Sequence, residues 1–497
     1  MTGCRLVCGF LSLVELYEIT HLMSHQVSGM TALERRASLS LAAIYMLRMI
    51  GMFLILPVFS VLARDLPDAS PFLVGLAISA YGLTQAVFQI PFGMWSDRWG
   101  RKPVITVGLI LFVIGSIFAA ISPSIYGIIA GRCLQGAGAV AAVVMALAAD
   151  LTREENRTKA MAMIGISIGI SFAISIVAGP ILSNWLGLQG LFWLITGLAV
   201  ASLVVLHVWV PNPKVSTFHG DAQLRTQGIR RVFANRELLR LDFGIFCLHL
   251  MLTASFVVVP VLIRDQLEMP ASEHWYLYLP VFLLAILTMV PFVILAEKKR
   301  KMKPVFVSFI ALVGLSMLGF LSFGNTFWGV FALLYLFFTG FNLLEATLPS
   351  MISKIAPPDL KGTAMGIYST AQFLGAFAGG TGAGFLVGQY GNPAVFIYCG
   401  IAALLWLLVA FGMRPPRHLS SRLENIRDIP TESMTALSSK LAKIPGVIEV
   451  VVVPEDGVAY LKVERDHLDE RGLDACLAAF RGAVAPAVQL SEAQAER

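Results

Sequence analysis

The chain of 497 residues is 57% hydrophobic and only 14% charged, with a mean hydropathy of +0.76. A soluble globular protein of this size has no use for so much apolar surface, so the composition defines a polytopic membrane protein. The bases behind the net charge of +6 sit in alternate short loops, a distribution that excludes a nucleic-acid-binding surface. Cys4, Cys8, Cys133, Cys247, Cys399 and Cys476 show neither C-x-x-C nor metal-ligand spacing, so no metal site and no cofactor are expected.

Residues 1–38 form a cytoplasmic N-terminal segment. Met1 to Met23 is mildly apolar but interrupted by Glu15, Glu18 and His21, and no small-residue cleavage site follows, so it is not a signal peptide. Met30 opens Met-Thr-Ala-Leu-Glu-Arg-Arg, and a start there is the expectation, with residues 1–29 an over-long reading. Twelve hydrophobic runs follow, each near the ~20 residues that span a bilayer. They lie near 40–63, 72–95, 103–122, 125–149, 160–183 and 189–210, then 241–263, 275–296, 304–323, 327–352, 363–387 and 393–413. The first six make an N-terminal half (39–210) and the last six a C-terminal half (241–413). Two six-helix halves with a site between them are the expected architecture, an all-α bundle.

Lys and Arg set the orientation. The loops after spans 2, 4, 8 and 10 hold Arg98, Arg101, Lys102, Arg153, Arg157, Lys159, Lys298, Lys299, Arg300, Lys301, Lys303, Lys354 and Lys361. The opposite loops hold only Arg64 and Arg264. By the positive-inside rule both termini are cytoplasmic. The central connection, 211–240, is polar and basic; Val232-Phe233 and Leu238-Leu239 at helical spacing suggest an amphipathic helix on the inner surface, with a solvated linker as the alternative. Asp97-Arg98-Trp99-Gly100-Arg101-Lys102-Pro103 is echoed by Glu297 to Pro304, and Thr158 to Met161 by Gly362 to Met365, a faint internal repeat.

After Arg414-Pro415-Pro416-Arg417 the character changes. Residues 414–430 read as a polar linker and 431–497 as a small soluble α+β domain. Met434 to Leu441 is a helix, Val447 to Val453 and Val458 to Val463 are strands about a Pro454-Glu455-Asp456-Gly457 turn, and Leu468 to Phe480 is a second helix. Helix–strand–strand–helix is the middle of a ferredoxin-like domain, whose outer strands are hard to see. The pattern resembles heavy-metal-associated domains without their paired cysteines, and Cys476 is isolated. That rejects metal delivery and favours a module that binds a regulatory ligand or protein.

The strongest motif is Gly93-Met94-Trp95-Ser96-Asp97-Arg98-Trp99-Gly100-Arg101-Lys102-Pro103, read as a tight charged hairpin between spans 2 and 3. It closely resembles the corresponding loop of the major facilitator superfamily, where that loop latches the halves together in the outward-facing state. By resemblance, Gly93, Asp97, Arg98, Gly100 and Arg101 belong to the latch. Asp150, at the inner end of span 4, is the obvious acid for Arg101. Ordinary loop ion pairs are the plainer alternative. Gly131-Arg132-Cys133-Leu134-Gln135-Gly136-Ala137-Gly138 resembles the span 4 motif of drug–proton antiporters, whose arginine is thought to assist proton movement. Span 5, with Gly165, Gly169 and Gly179-Pro180, resembles the antiporter signature but carries Ser183-Asn184 where a glycine pair belongs. That departure leaves transport direction open, and packing by small residues is the alternative.

A charge inside a membrane span is a functional-site hypothesis by default, because hydrocarbon cannot solvate it. Glu345 in span 10 is the first choice for proton carrier, with Arg132 and Arg48 as further proton-coupling candidates; static interhelical contacts are the alternative for each. Asp242, expected near the interface and solvated, and His249, expected to be a packing residue, rank lower. Tyr81, Gln85 and Gln89 share one face of span 2, and with Gln135, Asn342, Tyr368 and Gln372 they are the substrate-cavity candidates.

The reading is a proton-coupled exporter of a hydrophobic or amphipathic small molecule, working as a monomer by alternating access in a bacterial inner membrane. Family resemblance implies the proton drive. A proton-coupled importer or facilitator of a small nutrient stays open. So does a membrane sensor with a ligand-binding tail. No G-x-x-x-x-G-K nucleotide loop is present, and no enzymatic activity is expected.

Overall fold

A computed structural model describes residues 29–212, 226–298, 301–357, 360–414, 419–426, 428–454, 457–464 and 467–482. The expectations for residues 1–28, Lys299, Arg300, Glu455, Asp456 and the chain beyond 482 lie outside the described residues.

The first span is α1 (Ala32–Phe53) followed by α2 (Leu56–Leu62). The break between them has a local cause: Pro57 has no N–H, and its ring excludes the carbonyl four residues back, on Phe53. Thr31 and Glu34 close a capping box at the start of α1, each side chain accepting from the other's backbone N–H at 3.2 and 2.8 Å. Next come α3 (Pro71–Trp99) and α4 (Arg101–Ile121). The expected hairpin between them is a single residue: Gly100, at φ 90°, takes a backbone conformation that side chains disfavour, and helix runs to it from both sides. Span 4 is also broken, into α5 (Ile125–Ala137) and α6 (Ala141–Asp150), where Gly138 lies against the Gly108 carbonyl of α4.

The long helical stretch α7 (Glu154–Val208) is two spans joined at Gly187, whose φ of 62° interrupts it. A straight helix of that length would reach about 80 Å, far more than a bilayer core. A short basic helix, α8 (Thr226–Ala234), buries Val232 and exposes Phe233, while Leu238 and Leu239 belong to the next span. The second half is α9 (Arg236–Gln266), α10 (Trp275–Lys298), α11 (Met302–Phe323), α12 (Phe327–Ile355), α13 (Lys361–Tyr390) and α14 (Asn392–Phe411). Among the described residues, ten helical stretches are long and apolar enough to cross a membrane. One of these is the bent α7, and the glycine-rich α13, diluted in hydropathy, completes the twelve spans.

The halves meet chiefly along α3 and α13, and glycine is the reason. A Cβ on Gly75 would lie 2.3 Å from the Gly380 carbonyl oxygen, and one on Gly384 would lie 2.5 Å from that of Pro71. Ser79 and Thr381 hydroxyls hydrogen-bond at 2.8 Å beside this contact. Further contacts lie toward the same end, opposite the termini: Ser60 Oγ donates to the Phe256 carbonyl at 3.0 Å, and Arg64 pairs with Asp265 at 2.9 Å. Below them Phe172 packs against Phe256, Phe282, Phe338 and Phe341 of the other half, a plug near the middle of the bundle. The molecule is therefore sealed at the face opposite its termini.

Two outcomes follow from this seal. Gly75→Val forces a branched side chain into backbone, and thermal unfolding of the purified protein should show a loss of about 1–3 kcal/mol. Arg64→Ala removes a pair whose side chains are 38% and 42% exposed, so the same measurement should move by less than about 1 kcal/mol.

The tail is a three-stranded antiparallel sheet, order β1-β3-β2, of β1 (Leu419–Asn425), β2 (Val447–Val453) and β3 (Val458–Glu464). Helices α15 (Met434–Leu441) and α16 (Glu470–Gly482) pack on it around Leu437, Leu441, Leu461 and Leu473. Strand β1 corrects the sequence reading, which placed these residues in a linker; its pairing of Leu423 with Tyr460 is tertiary and leaves little local signal. Lys462 on β3 donates to the Ile355 carbonyl at the C-terminal end of α12, at 3.3 Å, where a helix dipole favours a cation.

Candidate functional site

The charged group at the α3–α4 junction assembles around Arg101. Its guanidinium bonds Asp97, Ser96 Oγ at 2.6 Å and Asp150 at 3.1 Å. The Arg101 and Asp150 side chains are 3% and 1% exposed, so this is a desolvated pair and not a surface one. Asp97 meets Arg101 one turn away in the same junction. Gly93 is buried within α3, and Arg98 is exposed. All these contacts lie within the first half.

A second network at the same end went unread. Glu34 accepts from Arg153 through both backbone and side chain at 2.9 Å, and from Asn156 at 3.2 Å, tying α1 to the start of α7. The Thr31-x-x-Glu34 spacing of a capping box was its signal in the sequence.

Deeper in the first half, the polar stripe of α3 turns inward. Tyr81, Gln85 and Gln89 are at most 3% exposed. Arg48 donates to the Tyr81 hydroxyl and Gln85 at 2.8 Å and to the Gly138 carbonyl at 3.0 Å, and Gln85 donates to Gln89 at 2.9 Å. Arg132 donates to the Ala77 and Ile78 carbonyls and to Gln135, with its guanidinium 5.1 Å from the Tyr81 ring centre. Gln135 in turn donates to Ser116 of α4 at 2.8 Å. In this conformation Gln135 therefore faces the core of its own half. Each of these hydrogen-bond partners of Arg48 and Arg132 is neutral. The break at Gly138 supplies one of them, a carbonyl released at the C-terminal end of α5.

The second half carries the acids. Gln372 Nε2 lies 3.2 Å from Glu345 Oε1 and 2.8 Å from His249 Nε2, and His249 Nδ1 is 3.8 Å from Glu345 Oε2. Three helices, α9, α12 and α13, thus converge on one polar centre. Close approach of α13 to α9 permits it: Gly375 and Gly379 lie against the Phe246 and Leu250 carbonyls, where a Cβ would be only 2.1 and 2.2 Å away. The Glu345 side chain remains 34% exposed on the side of the plug nearer the termini, and His249 stacks near Phe341 of the plug itself. Buried polar atoms without partners cluster here: Glu345 Oε2, His249 Nδ1, Asn342 Nδ2, the Tyr368 hydroxyl and both oxygens of Asp242.

Two readings need correction. Asp242 is 6% exposed and not solvated, because helix α9 begins at Arg236 and carries it inside. His249 is a direct neighbour of Glu345. On span 5, Gly179 packs against the Leu54 carbonyl, whereas a Cβ on Gly165 or Gly169 would meet nothing within 4 Å, so packing explains only the first. In the tail, burial pushes the thiol of the half-buried Cys476 upward.

A twelve-span bundle in two halves, closed at one face and carrying buried ionisable groups in its interior, is the architecture of a secondary transporter. Residues 41–380 match the Major Facilitator Superfamily, and the chain belongs to that family of membrane transporters. It is 47% identical to the inner membrane transport protein YajR of Escherichia coli (strain K12), over 88% of this chain and 95% of that one. It is 24% identical to the quinolone resistance protein NorA of Staphylococcus aureus (strain MSSA476), over 71% and 90% of the two chains. Among solved structures, a bacterial homolog of the human lysosomal transporter Spinster, inward-facing and occupied, superimposes with a TM-score of 0.65 at 12% identity. That match covers 77% of this chain and 97% of the other. The protein is a multi-pass membrane transporter and not an enzyme.

Proposed function

We propose that the protein exports a hydrophobic or amphipathic small molecule in exchange for protons, with Glu345 as the proton carrier. The observation that carries this is the Glu345–Gln372–His249 centre, a partly exposed acid beside unpartnered polar groups on the unsealed side of the phenylalanine plug. An ionised carboxylate there is costly to keep without a counter-ion, so its proton uptake and loss are tied to which face the site meets. Arg48 and Arg132 supply fixed positive charge in the facing half. Asn342, Tyr368 and Gln372 border the site, and Tyr81, Gln85 and Gln89 shape the wall opposite.

Orientation follows the positive-inside rule: both termini are cytoplasmic, which makes the sealed face periplasmic and the structure inward-facing. In the outward-facing state, the group around Arg101 would engage the second half as a latch. Export rather than import is supported by the similarity to NorA, a resistance protein, and by the apolar plug of phenylalanines beside the acid. The bacterial inner membrane is supported by the similarity to YajR. The protein acts as a monomer, and its tail takes a regulatory ligand or protein.

Inverted membrane vesicles from cells that produce the protein, acidified inside by respiration, test the reading. Lipophilic cations, phenolics and sugars are added in turn while lumenal pH is followed. Proton leakage that depends on one apolar class of compound is the expected result. Leakage with none, and ligand binding by the tail, would turn the assignment toward a sensor.

A further inference from the structure

Asp242 lies outside every hydrogen bond and ion pair described above, yet it is a buried acid. It is 6% exposed on α9, and neither carboxylate oxygen has a hydrogen-bond partner. The nearest arginine along its helix, Arg240, is engaged elsewhere, by Glu237 at 2.6 Å and the Gly412 carbonyl at 2.5 Å.

Its place follows from helix register. The paired glycine contacts, Gly375 on Phe246 and Gly379 on Leu250, show α9 and α13 running parallel in step. Continued one turn toward the termini, that register sets Asp242 level with Ala371, one residue from Gln372 and less than a turn from Tyr368. At 1.5 Å per residue, Asp242 and Tyr368 lie about 10 Å from the ends of their helices nearest the termini. Glu345, Gln372 and His249 lie deeper, at about 15–20 Å. Tyr368 is within electrostatic reach of both Asp242 and Glu345, and its hydroxyl is buried without a partner. The unpartnered groups thus lie at two depths: Asp242 and Tyr368 nearer the helix ends on the side of the termini, and Glu345 deeper.

We infer that Asp242 is a second proton-carrying group, through which Glu345 exchanges its proton with the compartment on the side of the termini by way of the Tyr368 hydroxyl. This rests on the proton-carrier role proposed for Glu345. With water bridging each gap, a proton on the Asp242 carboxyl passes toward the phenol oxygen of Tyr368 as the phenol's own proton passes toward the Glu345 carboxylate. One O–H bond forms and one breaks at Tyr368, the phenol is regenerated, and negative charge moves from Glu345 to Asp242. The titratable groups facing this route are Glu345 and Tyr368, from α12 and α13, and His249 from α9 itself. Tyr368 is a positioning and relay residue; the two carboxyl groups hold the proton.

Infrared difference spectroscopy of the purified full-length protein in lipid, titrated with pH, reads protonated carboxyl groups directly. The wild type should show two buried carboxylic-acid C=O signals that vanish as pH rises. Asp242→Asn should remove one and Glu345→Gln the other, while Asp242→Glu should keep two signals with one displaced. Tyr368→Phe should leave both end points unchanged but slow proton exchange at Glu345 after a pH jump, by roughly a hundredfold. An unchanged amide band confirms that each variant is folded. If Glu345→Gln removes a signal and Asp242→Asn removes none, the inference is overturned while the role of Glu345 stands. If Glu345→Gln removes none, both fall.

Discussion

Glu345→Gln should abolish compound-driven proton flux in inverted vesicles, reducing it by about a hundredfold or more, to the background of empty membranes. The substitution is nearly isosteric. The amide oxygen still accepts from Gln372, so the contact that joins α12 to α13 survives. What disappears is the exchangeable proton. Because a neutral amide replaces a carboxyl group in the interior of a span, the thermal midpoint should hold or rise. Loss of flux with retained stability separates a chemical role from a structural one. His249→Ala provides a graded comparison: it removes the second partner of Gln372 and should lower the flux by about tenfold without abolishing coupling.

Arg101→Ala should be the most damaging single change to stability at the face that carries the termini. It leaves Asp150, whose side chain is 1% exposed, and Asp97 without their shared cation. Removing one member of a buried ion pair costs about 3–5 kcal/mol, because the remaining charge stays desolvated. Thermal or denaturant unfolding of the purified protein should show that loss. Arg101→Lys keeps the charge but gives up the fork that reaches Ser96, Asp97 and Asp150 together, so an intermediate loss is expected. Combining Arg101→Ala with Asp150→Asn should recover part of the deficit, since the stranded charge is gone. A flat result across all three variants would make the group an incidental surface cluster.

Much of the bundle was legible because its signals are local. Apolar runs of bilayer length mark the spans without reference to any neighbour, and Lys and Arg mark alternate loops. Gly100 and Arg101 were readable as a junction, although its compression to one residue needed the backbone angle. The Pro57 break and the Thr31–Glu34 capping box were present in the sequence and went unread. Other features were hidden for a physical reason. Whether Tyr81, Gln85 and Gln89 face water or protein depends on Arg48, which reaches them from another helix. Asp242 looked peripheral because polar residues precede it; only the glycine contacts of α13 against α9 show that it is enclosed. Strand β1, with Leu419 and Leu423 among polar residues, acquires its identity from pairing with β3. In each case the missing information was a contact between segments distant in sequence.

Coupling itself is tested most directly in liposomes reconstituted with purified protein, where compound movement and lumenal pH are followed together under an imposed proton gradient. The compound should be one that releases protons in the vesicle assay. Protons and compound should move in opposite directions, and reversing the gradient should reverse the compound. Compound that equilibrates at the same rate with the gradient forward, reversed or absent would contradict proton-coupled exchange.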